Sequence, residues 1–295
     1  TSGRRLALAN WLAADDNPLS SRVMVNRIWQ YHFGRGIVRT SSNFGYKGTL
    51  PTHPELLDWL ASEFVEQGWR MKHMHKLIML SNAYQQSSRV NETAIAKDTQ
   101  NDLFWRFNMR RLEAEELRDS LLAVNGRLNR KKMFGPSIYP VIPAEVLAGQ
   151  SQPGSGWGKS SPEDRYRRSI YIHVKRSLIV PILESFDAAD VDSSCPVRFS
   201  TTQPTQALGM LNGDFLNDQA AAFAEYIKKK AGTDSAAQVK LVLKRTLQRN
   251  PTQQEIERGV QLILLLKEEH KVTDVEALKL YCLVALNLNE FLYLD

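Results

Sequence analysis

Apolar residues recur every three or four positions along most of the chain, the spacing that lines one face of a 3.6-residue helix. Over residues 4–14 and 22–33 this spacing predicts two helices, and Asp15-Asp16-Asn17-Pro18 breaks the first and starts the second. From 34 to 52 the pattern collapses. Gly34, Gly36, Gly45, Gly48 and Pro51 stand there among polar residues, which predicts a long irregular connection. Thr52-His53-Pro54-Glu55 has the form of a capping box, in which the Thr hydroxyl accepts from the amide three residues on and Glu reaches back. The helix it opens is expected to bury Leu56, Leu57, Leu60, Phe64 and Val65 and to stop at Gly68; the next carries Met71, Met74, Leu77, Ile78 and Tyr84.

A helix over 111–124 ends at Asn125-Gly126, and a Gly/Pro/Ser-rich tract over 133–162, densest at 150–161, then reads as a linker or loop. Ile170, Ile172 and Val174 alternate with Tyr171 and His173, the pattern of a half-buried strand, and 178–183 is its expected partner, confined to an edge by Pro181. Two further capping boxes, Thr252 with Glu255 and Thr273 with Glu276, open the last helices, and the final one is expected to bury Ala277, Leu280, Tyr281, Val284, Leu288, Phe291 and Leu292. No period of 20 to 50 residues suggests a solenoid. The expected fold is mainly α: an irregular multi-helix globular domain with long loops and a small two-stranded β patch. One unit over 1–295 is expected, divisible into a helical part (1–132), a loop-rich part with short strands (133–200) and a second helical part (201–295).

With 295 residues, 43% of them apolar, the chain can build a core without metals or disulfides. Its two cysteines, Cys195 and Cys282, exclude a disulfide framework and a CxxC zinc site; separate thiols are expected, with a single bridge left open. No apolar run reaches the ~18 residues of a membrane span. Beginning at Thr1 without a basic-then-apolar leader, the sequence reads as a fragment or processed product. The net charge of +6 is spread along the chain, so no nucleic-acid partner is expected and the short basic clusters read first as solvated faces. Arg165, Arg167, Arg168, Lys175 and Arg176 form the candidate anion-binding set, with an anionic polysaccharide as the corresponding ligand.

Candidate chemistry is sparse. Gly158-Lys159-Ser160 imitates the end of a phosphate-binding loop, but the first glycine of that motif falls on Pro153, no strand precedes it and Pro162 discourages the helix that should follow. Gly34-Arg35-Gly36 reads as a turn, His73 and His75 point to different sides of a helix, and no haem-attachment motif or nucleophile elbow occurs; no cofactor or metal is expected. What stands out is the density of polar residues inside amphipathic helices and beside the glycine-rich loop: Asn26, Arg27, His32, Asn43, His53 and Glu55, then Arg111, Glu113 and Glu115. Buried charges must be paired, so an ion-pair network that fixes helix register is the first reading of these groups and a ligand site the second. Trp157, on a Gly-rich loop, either stands exposed as a candidate stacking surface or folds back onto the body.

Asn17-Pro18-Leu19, Arg22-Val23-Met24-Val25-Asn26-Arg27-Ile28-Trp29 and His32-Phe33-Gly34-Arg35-Gly36-Ile37-Val38 resemble the opening signature of the domain-of-unknown-function 1553 family. Asn43-Phe44-Gly45, Pro51-Thr52-His53-Pro54-Glu55-Leu56-Leu57-Asp58-Trp59-Leu60-Ala61, Arg110-Arg111-Leu112-Glu113-Ala114-Glu115 and Arg167-Arg168-Ser169-Ile170-Tyr171 follow in order. Cys195-Pro196-Val197-Arg198, Gln206-Ala207-Leu208 with Leu211-Asn212, and Asn289-Glu290-Phe291-Leu292-Tyr293 complete the resemblance. It implies an exported, extracytoplasmic (periplasmic or cell-surface) protein of planctomycetes and related bacteria. Companion domains would share the polypeptide: domain-of-unknown-function 1549 and often a cytochrome-c-like module, which would carry any haem. The family supplies no catalytic residues. The expected function is therefore accessory, docking against companion domains and binding an extracellular polymer. The alternative is an enzyme of glycan or haem-linked redox chemistry, with a site near Asn26, Arg27, His32, His53 and Glu55.

Overall fold

Spacing of apolar residues, proline at helix starts and side-chain caps set the helices of the computed structural model, which describes residues 2–295. Those residues form two compact units, one running to Arg110 and including Asp295, the other Arg111–Leu294.

The first unit contains α1 (Arg4–Leu12), α2 (Ser20–Phe33), α3 (Pro54–Glu66), α4 (Met71–Met79) and α5 (Glu92–Lys97). α2 packs on α3 and α4, burying Val25, Ile28, Trp29 and Phe33 against Leu57, Leu60, Phe64, Met74 and Ile78. Trp29 and Phe33 stack with ring centroids 4.2 Å apart, and Phe104 packs edge-on against both. The cap of α3 departs from the sequence expectation. Pro54 occupies the first helical turn, which moves the cap position to His53, and no side chain caps the helix. Thr52 belongs to the preceding loop instead: its N–H donates to the Ile37 carbonyl at 3.0 Å and its hydroxyl lies 2.9 Å from His53 Nδ1.

The second unit contains α6 (Ala114–Val124), α7 (Ala144–Ala148), α8 (Pro162–Arg165), α9 (Pro181–Ser185), α10 (Pro204–Asn212), α11 (Asp214–Ala231), α12 (Ser235–Leu247), α13 (Gln253–His270), α14 (Asp274–Leu286) and α15 (Asn289–Leu292). α14 packs on α11, α12 and α13, and its burial corrects the one-face expectation. Ala277, Leu278, Tyr281, Cys282, Leu283, Ala285 and Leu286 are buried around most of the helix, whereas Val284 is exposed and Leu280, Leu288 and Leu292 are only half-buried. A helix enclosed on several sides has no single apolar stripe. Thr252 and Glu255 complete their capping box on α13; Thr273 accepts from the Glu276 amide on α14, but the Glu276 carboxylate binds Lys279 rather than reaching back. α13 can pass close because residue 259 is glycine: a Cβ there would lie 2.5 Å from the Tyr281 hydroxyl and 2.6 Å from Val239 Cγ1.

The β patch is present, but not where alternation placed it. β1 (Arg110–Arg111) pairs with β2 (Tyr293–Leu294) in an antiparallel two-stranded sheet. Residues 169–171 form a 3-10 turn, because Asp119 Oδ1 takes both the Ser169 N–H at 2.8 Å and its hydroxyl at 2.7 Å and so curls the chain. Ile170 and Val174, the expected inward face, are exposed. Of the expected partner segment, Leu178 makes only an isolated antiparallel bridge to Lys175, and residues 181–183 open α9, since Pro181 fits the first turn of a helix. Cys282 is buried, Cys195 is exposed, and both are free thiols. Among the described residues no helix is long and apolar enough to cross a membrane.

Candidate functional site

In the first unit, the polar residues singled out by the sequence take separate tasks. Asn26, fully buried on α2, grips the glycine-rich connection: its side-chain amide donates to the Val38 carbonyl at 3.0 Å and accepts from the Val38 N–H at 2.8 Å. Gly36 is required there, because a Cβ would stand 2.5 Å from Asn26 Nδ2. Asn43 is exposed and accepts from the Gly45 amide within its own turn. His53 is held by Thr52 and tilts against Phe104, and Glu55 is exposed on the first turn of α3. Neither lines the groove of Trp29, Trp59, His73 and Lys76 or the groove beside α1.

His32 is the member with a chemical partner. Its Nε2 lies 2.8 Å from His75 Nδ1, and Tyr84 packs edge-on against the ring at 5.4 Å. Burial lowers the His32 pKa, with His75 and the Arg110 cation adding to the effect. The fold thus favours neutral imidazole, and as pH falls the unfolded chain takes up the proton first. Stability from this group is whole above the unfolded value of about 6.5 and declines as pH drops from there toward the lower folded value. The urea midpoint is expected to fall between pH 7.5 and 5.5, with a shallower fall in His32→Gln; equal slopes would remove this assignment.

In the second unit, Arg111 donates to the Thr201 carbonyl at 2.7 Å, the Phe186 carbonyl at 3.2 Å and Asp187 Oδ2 at 2.8 Å, with its guanidinium over the Phe186 ring. Burial pushes the Asp187 pKa up, but the Thr201 amide, Arg111 and the Thr201 hydroxyl outweigh it and hold the carboxyl below its ordinary value. Glu115 receives a two-pronged contact from Arg198 at 2.5 and 2.9 Å, and Glu113 lies 3.2 Å from the same guanidinium while forming the capping box of α6 with Glu116. The Arg198 contacts tie the start of α6 to residue 198, and the Arg111 contacts tie β1 to residues 186, 187 and 201.

The candidate anion-binding residues do not act as one patch. Arg167 is fully buried and donates to the carbonyls of Lys132, Phe134 and Pro136, with its guanidinium 4.0 Å from the centre of the Tyr171 ring. Lys175 donates to the Ser155 carbonyl, exposed Arg176 pairs with Asp192 at 2.8 Å, and exposed Arg168 lies 3.7 Å from Asp119. Trp157 is half-buried rather than exposed: its indole N–H donates to the Pro140 carbonyl at 3.1 Å, and its ring packs against Tyr139 and His173.

Two features were not legible in the sequence. One is a cleft in the second unit, walled by Val180, Pro181, Phe186, Met210 and Phe215, with Arg118 and Arg165 also lining it. Arg118 is 1% exposed; it donates to the carbonyls of Arg165 and Arg167 and to the Ser169 hydroxyl, and burial pushes its pKa down to about 10 against the opposing pull of Asp119. The other feature is α1, which has no buried residue at all. Leu8, Trp11 and Leu12 recur at helical spacing and are exposed, and Trp11 and Leu12 form one groove with Leu19, Val23, Met24 and Arg27.

Neither a curated protein nor a solved structure shows a significant match to the chain. One family model does, over residues 4–263. With the motifs from Asn17 to Asn212 falling inside that span, the chain belongs to the PSD1 family, described as protein of unknown function (DUF1553).

Proposed function

We propose that this chain is an accessory domain of a larger exported protein and docks to a companion domain of the same polypeptide through the face of α1. The observation that carries the reading is the burial of α1: nine residues, none buried, with Leu8, Trp11 and Leu12 in water. Isolated helices shorter than about 12–15 residues are marginal in water, so helical stability normally comes from packing an apolar face. Covering the exposed half of each of these side chains would contribute roughly 1 kcal/mol or more, about half the value for burying a fully exposed one. Arg27 is the one charge lining the adjoining groove and has no ion-pair partner among the described residues. A contact between two copies through this groove would offer Arg27 no carboxylate from the groove lining, whereas a companion surface carrying a carboxylate would neutralise the charge.

Titration of the chain with its separately expressed companion domain is expected to show saturable binding that Leu8→Asp with Trp11→Asp abolishes, while thermal unfolding stays unchanged because neither side chain is buried. Binding that survives both substitutions overturns the reading. Binding of an extracellular polymer is a second capacity, supported by Trp59, which is 52% exposed on a groove that His73 and Lys76 also line. Its aromatic face offers a stacking surface with polar side chains beside it. Retention on insoluble polysaccharide that Trp59→Ala leaves unchanged would remove this capacity.

A further inference from the structure

The cleft of the second unit has a volume of about 280 Å³, at the small end of the ~300–1,000 Å³ usual for small-molecule sites. Its walls are mainly apolar, and they contain two guanidinium groups with unused donors. Arg118 Nε and Arg165 Nε are both buried without an acceptor. The two arginines differ in what their other nitrogens do. Arg118 spends its terminal nitrogens on Arg165 O, Arg167 O and Ser169 Oγ, with Asp119 at 3.7 Å as its carboxylate. For the Arg165 guanidinium, no acceptor and no carboxylate partner occurs among the described residues, although Arg111 and Arg198 of the same unit each have one in Asp187 and Glu115.

α11 adds to the positive character of the cleft. This 18-residue helix begins at it, and its cap residue, Gly213, has no side chain to satisfy the first amides. Unpaired N–H groups and the positive end of the dipole favour an anion there. Asp214 and Asp218 also line the cleft, but both are exposed to solvent, which screens them. The enclosed part of the site therefore combines apolar walls, an unfilled cation and unfilled N–H donors. A planar monoanion matches a guanidinium fork, while a multiply charged phosphate would lose more hydration than these few donors replace.

We propose that this cleft binds a small carboxylic acid with an apolar body, the carboxylate on Arg165 and the body between Phe186, Met210 and Phe215. Calorimetric titration of the full chain with 4-phenylbutyrate and with its uncharged analogue 4-phenyl-1-butanol tests it. The acid is expected to bind at least about tenfold more tightly than the alcohol, the difference that one charge-assisted hydrogen bond confers. Arg165→Gln should erase that preference. Gly209→Leu should block both compounds without lowering thermal stability, because a side chain at 209, on a wall of the cleft, meets no atom within 4 Å at its Cβ. Equal binding of acid and alcohol, no binding of the acid at millimolar concentration, a preference that survives Arg165→Gln, or undiminished binding in Gly209→Leu would each overturn the proposal.

Discussion

Arg167→Met is expected to destabilise the second unit by about 3–5 kcal/mol, a large part of the total stability of an ordinary domain. The side chain is fully buried, and its guanidinium supplies the donors for three backbone carbonyls, those of Lys132, Phe134 and Pro136, in a stretch without regular secondary structure. Methionine fills most of the volume but donates to none of the three carbonyls, so the exposed 132–136 stretch loses the buried group that anchors it. Arg167→Lys is expected to recover less than half of the loss, since a single ammonium cannot reproduce the planar fork. Urea unfolding monitored by tryptophan fluorescence measures both. A change under about 1 kcal/mol in Arg167→Met would mean that water replaces the guanidinium at no cost, and the role given to this residue would be wrong.

The second large effect is expected at Asn26, where Asn26→Leu should cost about 2–4 kcal/mol by leaving the Val38 N–H and C=O unpaired inside the first unit. Both are bonded through this side chain, and Gly36 closes against the same amide. Local loosening should accompany the loss. Limited proteolysis is expected to cut within 34–52 in the variant well before it cuts the natural chain; identical cleavage patterns would show that the loop holds itself without Asn26.

Periodicity revealed the helices because each of the long ones turns at least one apolar stripe toward a neighbour, as α3 does with Leu57, Leu60 and Phe64. It misled at 169–174, where apolar alternation is real but a single carboxylate, Asp119, bends the chain into a turn. Asn26 stood out in the sequence because an amide amid Val25, Ile28 and Trp29 needs a partner. Arg167 did not stand out: beside Arg165 and Arg168 it has the look of a solvated cluster, and only the tertiary placement of the 132–136 carbonyls separates it from them. The cleft was equally hidden, since its lining comes from α6, α8, α9, α10, α11 and the 140–143 loop, segments far apart along the chain. The uncovered state of α1 was hidden for the opposite reason. Its composition, RRLALANWL, is that of a helix with something to pack against, and composition says nothing about whether the partner lies in the same unit.

That uncovered helix is where the proposed docking role is most directly tested. Amide hydrogen exchange across residues 4–12 should be fast in the isolated chain, close to the rate of an unprotected peptide, and should slow by orders of magnitude when the companion domain is joined to it, while α2 is protected in both. Exchange in α1 that is equally slow with and without the companion would contradict the account, because the helix would then be stable without any surface to cover it.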